Sequence, residues 1–106
     1  TQHKGERWSA ARAYVEPIRE QGNFAVCTNT LVEKLVVEAG RVTGVQIKRG
    51  GKRETLLARR GVVLSAGAFN SPQILMLSGI GPAAHLREHG IDVVLDRAEV
   101  GGNLQD

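Results

Sequence analysis

Val62-Val63-Leu64-Ser65-Ala66-Gly67-Ala68-Phe69-Asn70-Ser71-Pro72 is the stretch that decides how the rest of the chain is read. It opens as a short apolar, β-branched run of the kind that forms a buried strand. The run ends at Ser65-Ala66-Gly67, where no bulky side chain blocks approach to the backbone. A helix start follows: Ser71 is suited to cap it, and Pro72 suits the first helical position, where a missing N–H costs nothing. Buried strand, bare turn and helix N-terminus together can hold a phosphate-bearing or nucleotide-like ligand. An ordinary strand–helix connection that binds nothing fits the same residues equally well.

Downstream, Pro72 to Ser78 reads as one short apolar helix stopped by Gly79. Pro82 opens a second, Ala83 to His89, which Gly90 ends, and Ile91 to Leu95 is a further short strand candidate. Upstream, three segments, Val32 to Glu38, Val42 to Arg49 and Arg53 to Ala58, are separated by the hairpin signals Glu38-Ala39-Gly40-Arg41 and Gly50-Gly51. They form an antiparallel meander with one wet face, too thin to stand without packing on something else. Before it, Phe24-Ala25-Val26-Cys27-Thr28 reads as a buried strand and Thr28-Asn29-Thr30 as a bend. Thr1 to Trp8 is polar and irregular; Ser9 caps a helix running to Glu16, where Pro17 breaks it into a loose turn ending at Gly22-Asn23. The expected class is α/β, or α+β taken by itself, in three parts: a polar lead-in and helix over 1–22, strands and meander over 23–67, and helical segments over 68–106.

At 106 residues the chain is one small domain or a piece of a larger one, and opening on Thr1 favours an excised segment. Aromatics make up only 4%, so the core must come from Val, Leu, Ile and Ala. The net charge of +3 is dispersed, with one Tyr and one Trp to stack on bases, so a solvated basic face is read rather than a nucleic-acid partner. The single Cys27 excludes an internal disulfide and any zinc spacing, and no apolar run reaches the roughly 18–20 residues of a membrane span.

Gly79-Ile80-Gly81-Pro82-Ala83-Ala84 formally matches G-x-G-x-x-A, with Asp96 or Glu99 downstream for a ribose. The preceding Ile74 to Leu77 reads as helix, not strand, so the match lacks the context that gives it meaning. His85 and His89 lie four apart but have no third ligand, and read as exposed polar residues near a helix C-terminus. Ser65 and Ser78 lack the nucleophile-elbow pattern, and the carboxylates are scattered over solvent-facing hairpins. The expectation is no catalytic residue and no metal site.

Gly67-Ala68-Phe69-Asn70-Ser71-Pro72-Gln73-Ile74-Leu75-Met76-Leu77-Ser78-Gly79-Ile80-Gly81-Pro82 resembles the second signature of the glucose–methanol–choline (GMC) flavoprotein oxidoreductases. Gly5-Glu6-Arg7-Trp8-Ser9-Ala10-Ala11, Asn23 to Val37 and Val100-Gly101-Gly102-Asn103-Leu104-Gln105-Asp106 agree in order, so the likeness covers nearly the whole chain. The wording is closest to bacterial choline dehydrogenase-like members.

The resemblance implies a central piece of an FAD-binding, Rossmann-like domain. On that likeness Val32 meets the adenine through its backbone, Ser65, Ala66 and Gly67 pass close to the FAD adenosine and pyrophosphate, and Asn70 starts the helix beside them. Asn103, with Leu104-Gln105-Asp106, resembles the segment near the ribityl–isoalloxazine part. The family's G-x-G-x-x-G loop and its active-site His are not in the chain. FAD is therefore expected in the intact parent and absent from these residues alone, which catalyse nothing. The parent is expected to oxidise a small alcohol, with choline to betaine aldehyde as the reading, by hydride transfer to FAD through a domain not present here. A stand-alone nucleotide-binding or interaction module, and a non-redox lyase that keeps FAD, are the alternatives. The location implied is cytoplasmic, at most peripheral to the inner membrane. Unpaired edges at Phe24–Thr28 and Val62–Leu64 are expected to drive self-association.

Overall fold

The structure, a computed structural model, describes residues 2–105. Thr1 and Asp106, and the expectations placed on them, lie outside those residues.

The lead-in is more ordered than its polarity suggests. Lys4 and Gly5, at φ 51° and 78°, make a two-residue turn that joins β1 (Gln2–His3) to β2 (Glu6–Arg7) in an antiparallel hairpin. Arg12 ties this hairpin to the next segment, pairing with Glu6 at 3.0 Å and lying 5.1 Å over the Trp8 ring. Ser9 caps as expected, its Oγ accepting the Arg12 N–H at 3.2 Å. The helix itself is irregular. It runs as a π-helical turn over Ala11–Val15 and a 3-10 turn over Glu16–Ile18, because Pro17 has no N–H to extend an α ladder.

The meander matches its expected bounds to within a residue or so: β3 (Leu31–Glu38), β4 (Arg41–Arg49) and β5 (Lys52–Leu57), in the order β3-β4-β5. Ala39-Gly40 and Gly50-Gly51 supply the turns, all four at positive φ between 50° and 77°. Left-handed pairs of this kind match the twist of the strands they join. Two irregularities interrupt the β3–β4 register, at Glu33 and at Thr43. Leu35 and Ile47 from the sheet, Ile74 from α1 (Asn70–Leu77) and Leu86 from α2 (Ala83–Glu88) are the buried apolar side chains. The core thus lies between the meander and α1, with α2 packed behind it on residues 80–81, and β5 remains exposed along its length.

Behind α1 the chain turns at Gly79 into β6 (Ile80–Gly81), passes through α2, and returns as β7 (Leu95–Asp96), parallel to β6. Asp96 Oδ1 accepts the Ala83 N–H at 3.0 Å, so this carboxylate caps α2 and is not in the position of a ribose ligand. Helix α1 precedes Gly79-Ile80-Gly81, which removes the dinucleotide-fingerprint reading on structural grounds. The strand expected over Ile91 to Leu95 pairs only from Leu95, and Pro82 stands just before α2, not inside it.

Three further expectations are corrected. Phe24–Thr28 and Val62–Leu64 belong to no ladder; Val26 is 53% and Val63 92% exposed. Their composition favours strand, but a strand exists only where a neighbour completes its hydrogen bonds, and no described strand runs beside either. Third, α1 begins at Asn70, with Phe69 at the capping position, so Ser71 and Pro72 lie inside its first turn. Ser71 turns its hydroxyl backward instead of capping.

Candidate functional site: a groove between β3 and α1

Helix α1 has a face at Asn70, Gln73, Ile74 and Leu77, the i, i+3, i+4, i+7 spacing of one helical stripe. It is turned toward the start of β3. Between them lies a groove of about 440 Å³, with Thr30, Leu31, Val32 and Glu33 on one side, Ala66 at one end and the α1 stripe as its floor. That volume falls within the range of about 300–1,000 Å³ usual for small-molecule clefts.

Each sequence-predicted residue has a definite place. Val32, Ala66 and Asn70, drawn from three separate stretches, converge on this groove. Ser65 and Gly67 flank Ala66 in the turn without lining the hollow. Asn103 does not join them. At φ 55° it lines a second cleft, of about 390 Å³, against Phe69, Pro72 and Met76 on the adjacent face of α1. Gln73, Ile74, Leu77, Thr30, Leu31 and Glu33 were not singled out by sequence reasoning, although the spacing of the α1 residues could have revealed their shared face.

The turn is small and open, as its composition suggests. Gly67 adopts φ 96°, and a Cβ placed there would meet no heavy atom within 4 Å. Glycine is required by the backbone angle, and the space beside it is free. Part of the donor set is committed. Ala66 N–H donates to Ser71 Oγ at 2.8 Å and Ser71 N–H to Gly67 O at 3.0 Å, while Gln73 N–H reaches Phe69 O at 3.4 Å. Pro72 has no N–H at all. With these amides used and Pro72 lacking one, the corner offers a phosphate fewer donors than a bare helix N-terminus would.

Groove electrostatics agree. None of the lining residues is Lys or Arg, and the one carboxylate, Glu33, is paired with Arg53, Oε1 to Nε at 2.9 Å. Leu31 and Leu77 stay 62% and 46% exposed, leaving an apolar wall open to a flat, neutral ring, while Asn70 and Gln73 bring carboxamides able to both donate and accept. Such a site suits a purine nucleoside better than a diphosphate.

Other possibilities are thinner. The His85 and His89 rings meet edge to face, 4.7 Å between centroids, and among the described residues no three ligating side chains gather to hold a metal. Ser78 is buried and serves the fold: its Oγ accepts the Leu35 N–H at 2.8 Å and donates to Ile74 O. Among the described residues no helix is long and apolar enough to cross a membrane.

An α+β unit with an antiparallel meander, a glycine corner and a purine-sized groove free of lysine and arginine is compatible with a nucleotide-cofactor domain. The sequence profile of the GMC oxidoreductases matches residues 1–106, and the chain belongs to that family. An oxygen-dependent choline dehydrogenase of Sinorhizobium medicae is 55% identical over 106 residues, all of this chain and 19% of that protein. One of Brucella ovis is 52% identical over the same 106 residues, again 19% of its length. Among solved structures, pyridoxine 4-oxidase from Mesorbium loti superposes with a TM-score of 0.79 at 31% identity, over 90% of this chain and 19% of its own. An FAD-dependent oxidoreductase from Chaetomium thermophilum gives 0.79 at 30% identity, over 83% of this chain and 16% of that one. The chain therefore spans about a fifth of the length of the curated relatives it matches.

Proposed function

We propose that this chain supplies the adenosine-binding part of the FAD site in a GMC oxidoreductase acting on an alcohol, with residues 1–106 forming part of its FAD-binding domain. The observation that carries the reading is the convergence of Val32, Ala66 and Asn70 on one groove that no lysine or arginine lines. Within it, the edge of β3 at Val32 offers main-chain groups to the rim of an adenine, and Ala66 lets the ring approach without side-chain obstruction. Ser65 and Gly67 hold Ala66 in its turn, Asn70 brings a carboxamide to the rim, and Asn103 lines a separate cleft suited to a more distant part of the same cofactor.

When bound, FAD supplies a two-electron acceptor for hydride from a carbinol carbon. These residues bind and orient; they carry no base for the alcohol proton, and the chain by itself is inactive. The choline dehydrogenases it resembles support choline as substrate of the whole protein. A cytoplasmic location, at most peripheral to the inner membrane, accompanies that reading. The unpaired, partly exposed stretches at Phe24–Thr28 and Val62–Leu64 support self-association of the chain, which a concentration series in sedimentation velocity tests.

Titration of the chain with ADP, FAD and FMN tests the groove. Added in excess, ADP and FAD, which share the adenosine, should bind reversibly, too weakly for FAD to be retained on purification, and FMN, which lacks the adenosine, should not bind. Equal binding of FMN and ADP, or no binding of ADP, overturns the assignment.

A further inference from the structure

Ser71, Ile74 and Ser78 follow the i, i+3, i+7 spacing and so form a stripe along α1. Ile74 is in the groove floor, and the two serines stand a helical turn or so to either side of it. Each hydroxyl reaches a different wall. Ser78 Oγ accepts the Leu35 N–H of β3 at 2.8 Å, and Ser71 Oγ accepts the Ala66 N–H of the turn at 2.8 Å. The β3 wall is also held by its ladder to β4, whereas the Ser65–Gly67 turn belongs to no ladder. Ser71 grips that turn twice, since its own N–H donates to Gly67 O at 3.0 Å.

From these contacts we infer that Ser71 is a positioning residue for the nucleotide groove: its hydroxyl sets where the Ala66 wall stands relative to the α1 floor. The inference rests on the groove being the adenosine site. A flat ring clamped between a strand edge and a side-chain-poor wall is sensitive to the spacing of the two. The β3 wall has a sheet and Ser78 to fix it, while the Ala66 wall has Ser71. The hydroxyl acts as acceptor, which the helix N–H groups cannot replace and which alanine removes outright. Threonine keeps the same oxygen on the same carbon. A capping serine would have turned its side chain to the helix amides; this one, inside the first turn, is free to reach back to position 66.

The test uses the full chain as wild type, Ser71→Ala and Ser71→Thr, with amide hydrogen exchange at Ala66 and ADP affinity read on each. Ser71→Ala should speed exchange at Ala66 by on the order of tenfold, leave exchange in β3 and β4 unchanged, and weaken ADP by about three- to tenfold, the range of one lost hydrogen bond. Ser71→Thr should restore both. A merely structural role would instead raise exchange throughout the core together with any loss of affinity. If Ser71→Ala binds ADP as wild type does, or leaves Ala66 protected, the positioning role is wrong while the groove assignment stands. If wild type itself does not bind ADP, the assignment fails and this inference goes with it.

Discussion

Ser78 Oγ accepts the N–H of Leu35 at 2.8 Å, joining residues 43 positions apart, and the same hydroxyl donates to Ile74 O one turn back in α1. The contact satisfies a strand-edge amide that has no strand to pair with and sets α1 against β3 at the end of the groove away from Ala66. Ser78→Ala leaves that buried N–H without a partner. The expected cost is about 1–3 kcal/mol, read as a fall in thermal midpoint of roughly 4–8 °C for each kcal/mol. A midpoint within error of wild type would show that water replaces the hydroxyl without loss.

Gly67 and Gly79 both sit at positive φ, 96° and 87°, but in different surroundings. A Cβ at Gly67 meets open space; at Gly79 it overlaps the Asp92 carbonyl and comes to 2.9 Å from Val94 Cγ2. Gly67→Ala should therefore cost only the backbone term, about 1–2 kcal/mol. Gly79→Ala adds a collision with main chain that cannot rotate away, and is expected to cost above roughly 3 kcal/mol. Chemical denaturation of the two variants checks the order; equal losses would mean the Gly79 turn can shift.

The difference between Ile47 and Val63 explains which parts of the fold were legible in the sequence. Both are β-branched residues in runs that read as strand, yet Ile47 is 1% and Val63 92% exposed. The meander could be read because its pairing is between neighbours in sequence and its turns, Ala39-Gly40 and Gly50-Gly51, state the register locally. Val62–Leu64 and Phe24–Thr28 could not, because strand identity there depends on partners that composition does not name. The convergence of Val32, Ala66 and Asn70 on one groove was indicated at Ala66 by the side-chain-poor turn and at Val32 and Asn70 by the resemblance. The Asn70-Gln73-Ile74-Leu77 stripe was available from periodicity. The Ser71 to Ala66 hydrogen bond was hidden, since a serine before a proline signals a cap, and only the fold shows that the helix starts earlier.

Ile47→Ala removes a side chain packed on every side and is expected to cost about 2–5 kcal/mol, while Val63→Ala should stay within about 0.5 kcal/mol. Urea midpoints for the pair provide the measurement. A large loss at Val63 would indicate that its run is covered in solution, and the self-association proposed above would then be the first explanation to examine by repeating the measurement at lower protein concentration.

Asp96 links the last described strand to the start of α2, with Oδ1 accepting the Ala83 N–H at 3.0 Å. Pro82, which precedes the helix, has no side-chain oxygen to cap it, so the carboxylate thirteen positions downstream takes the role a local serine or aspartate would otherwise fill. Asp96→Ala should cost about 0.5–2 kcal/mol, and Asp96→Asn, which keeps an acceptor oxygen but loses the charge facing the helix N-terminus, clearly less. Because β7 pairs with β6 through Asp96 and Gly81, exchange of the α2 amides should rise in Asp96→Ala with little change in the meander. Equal losses for alanine and asparagine would assign the effect to charge, and no loss in either would show that solvent caps α2 as well as the side chain does.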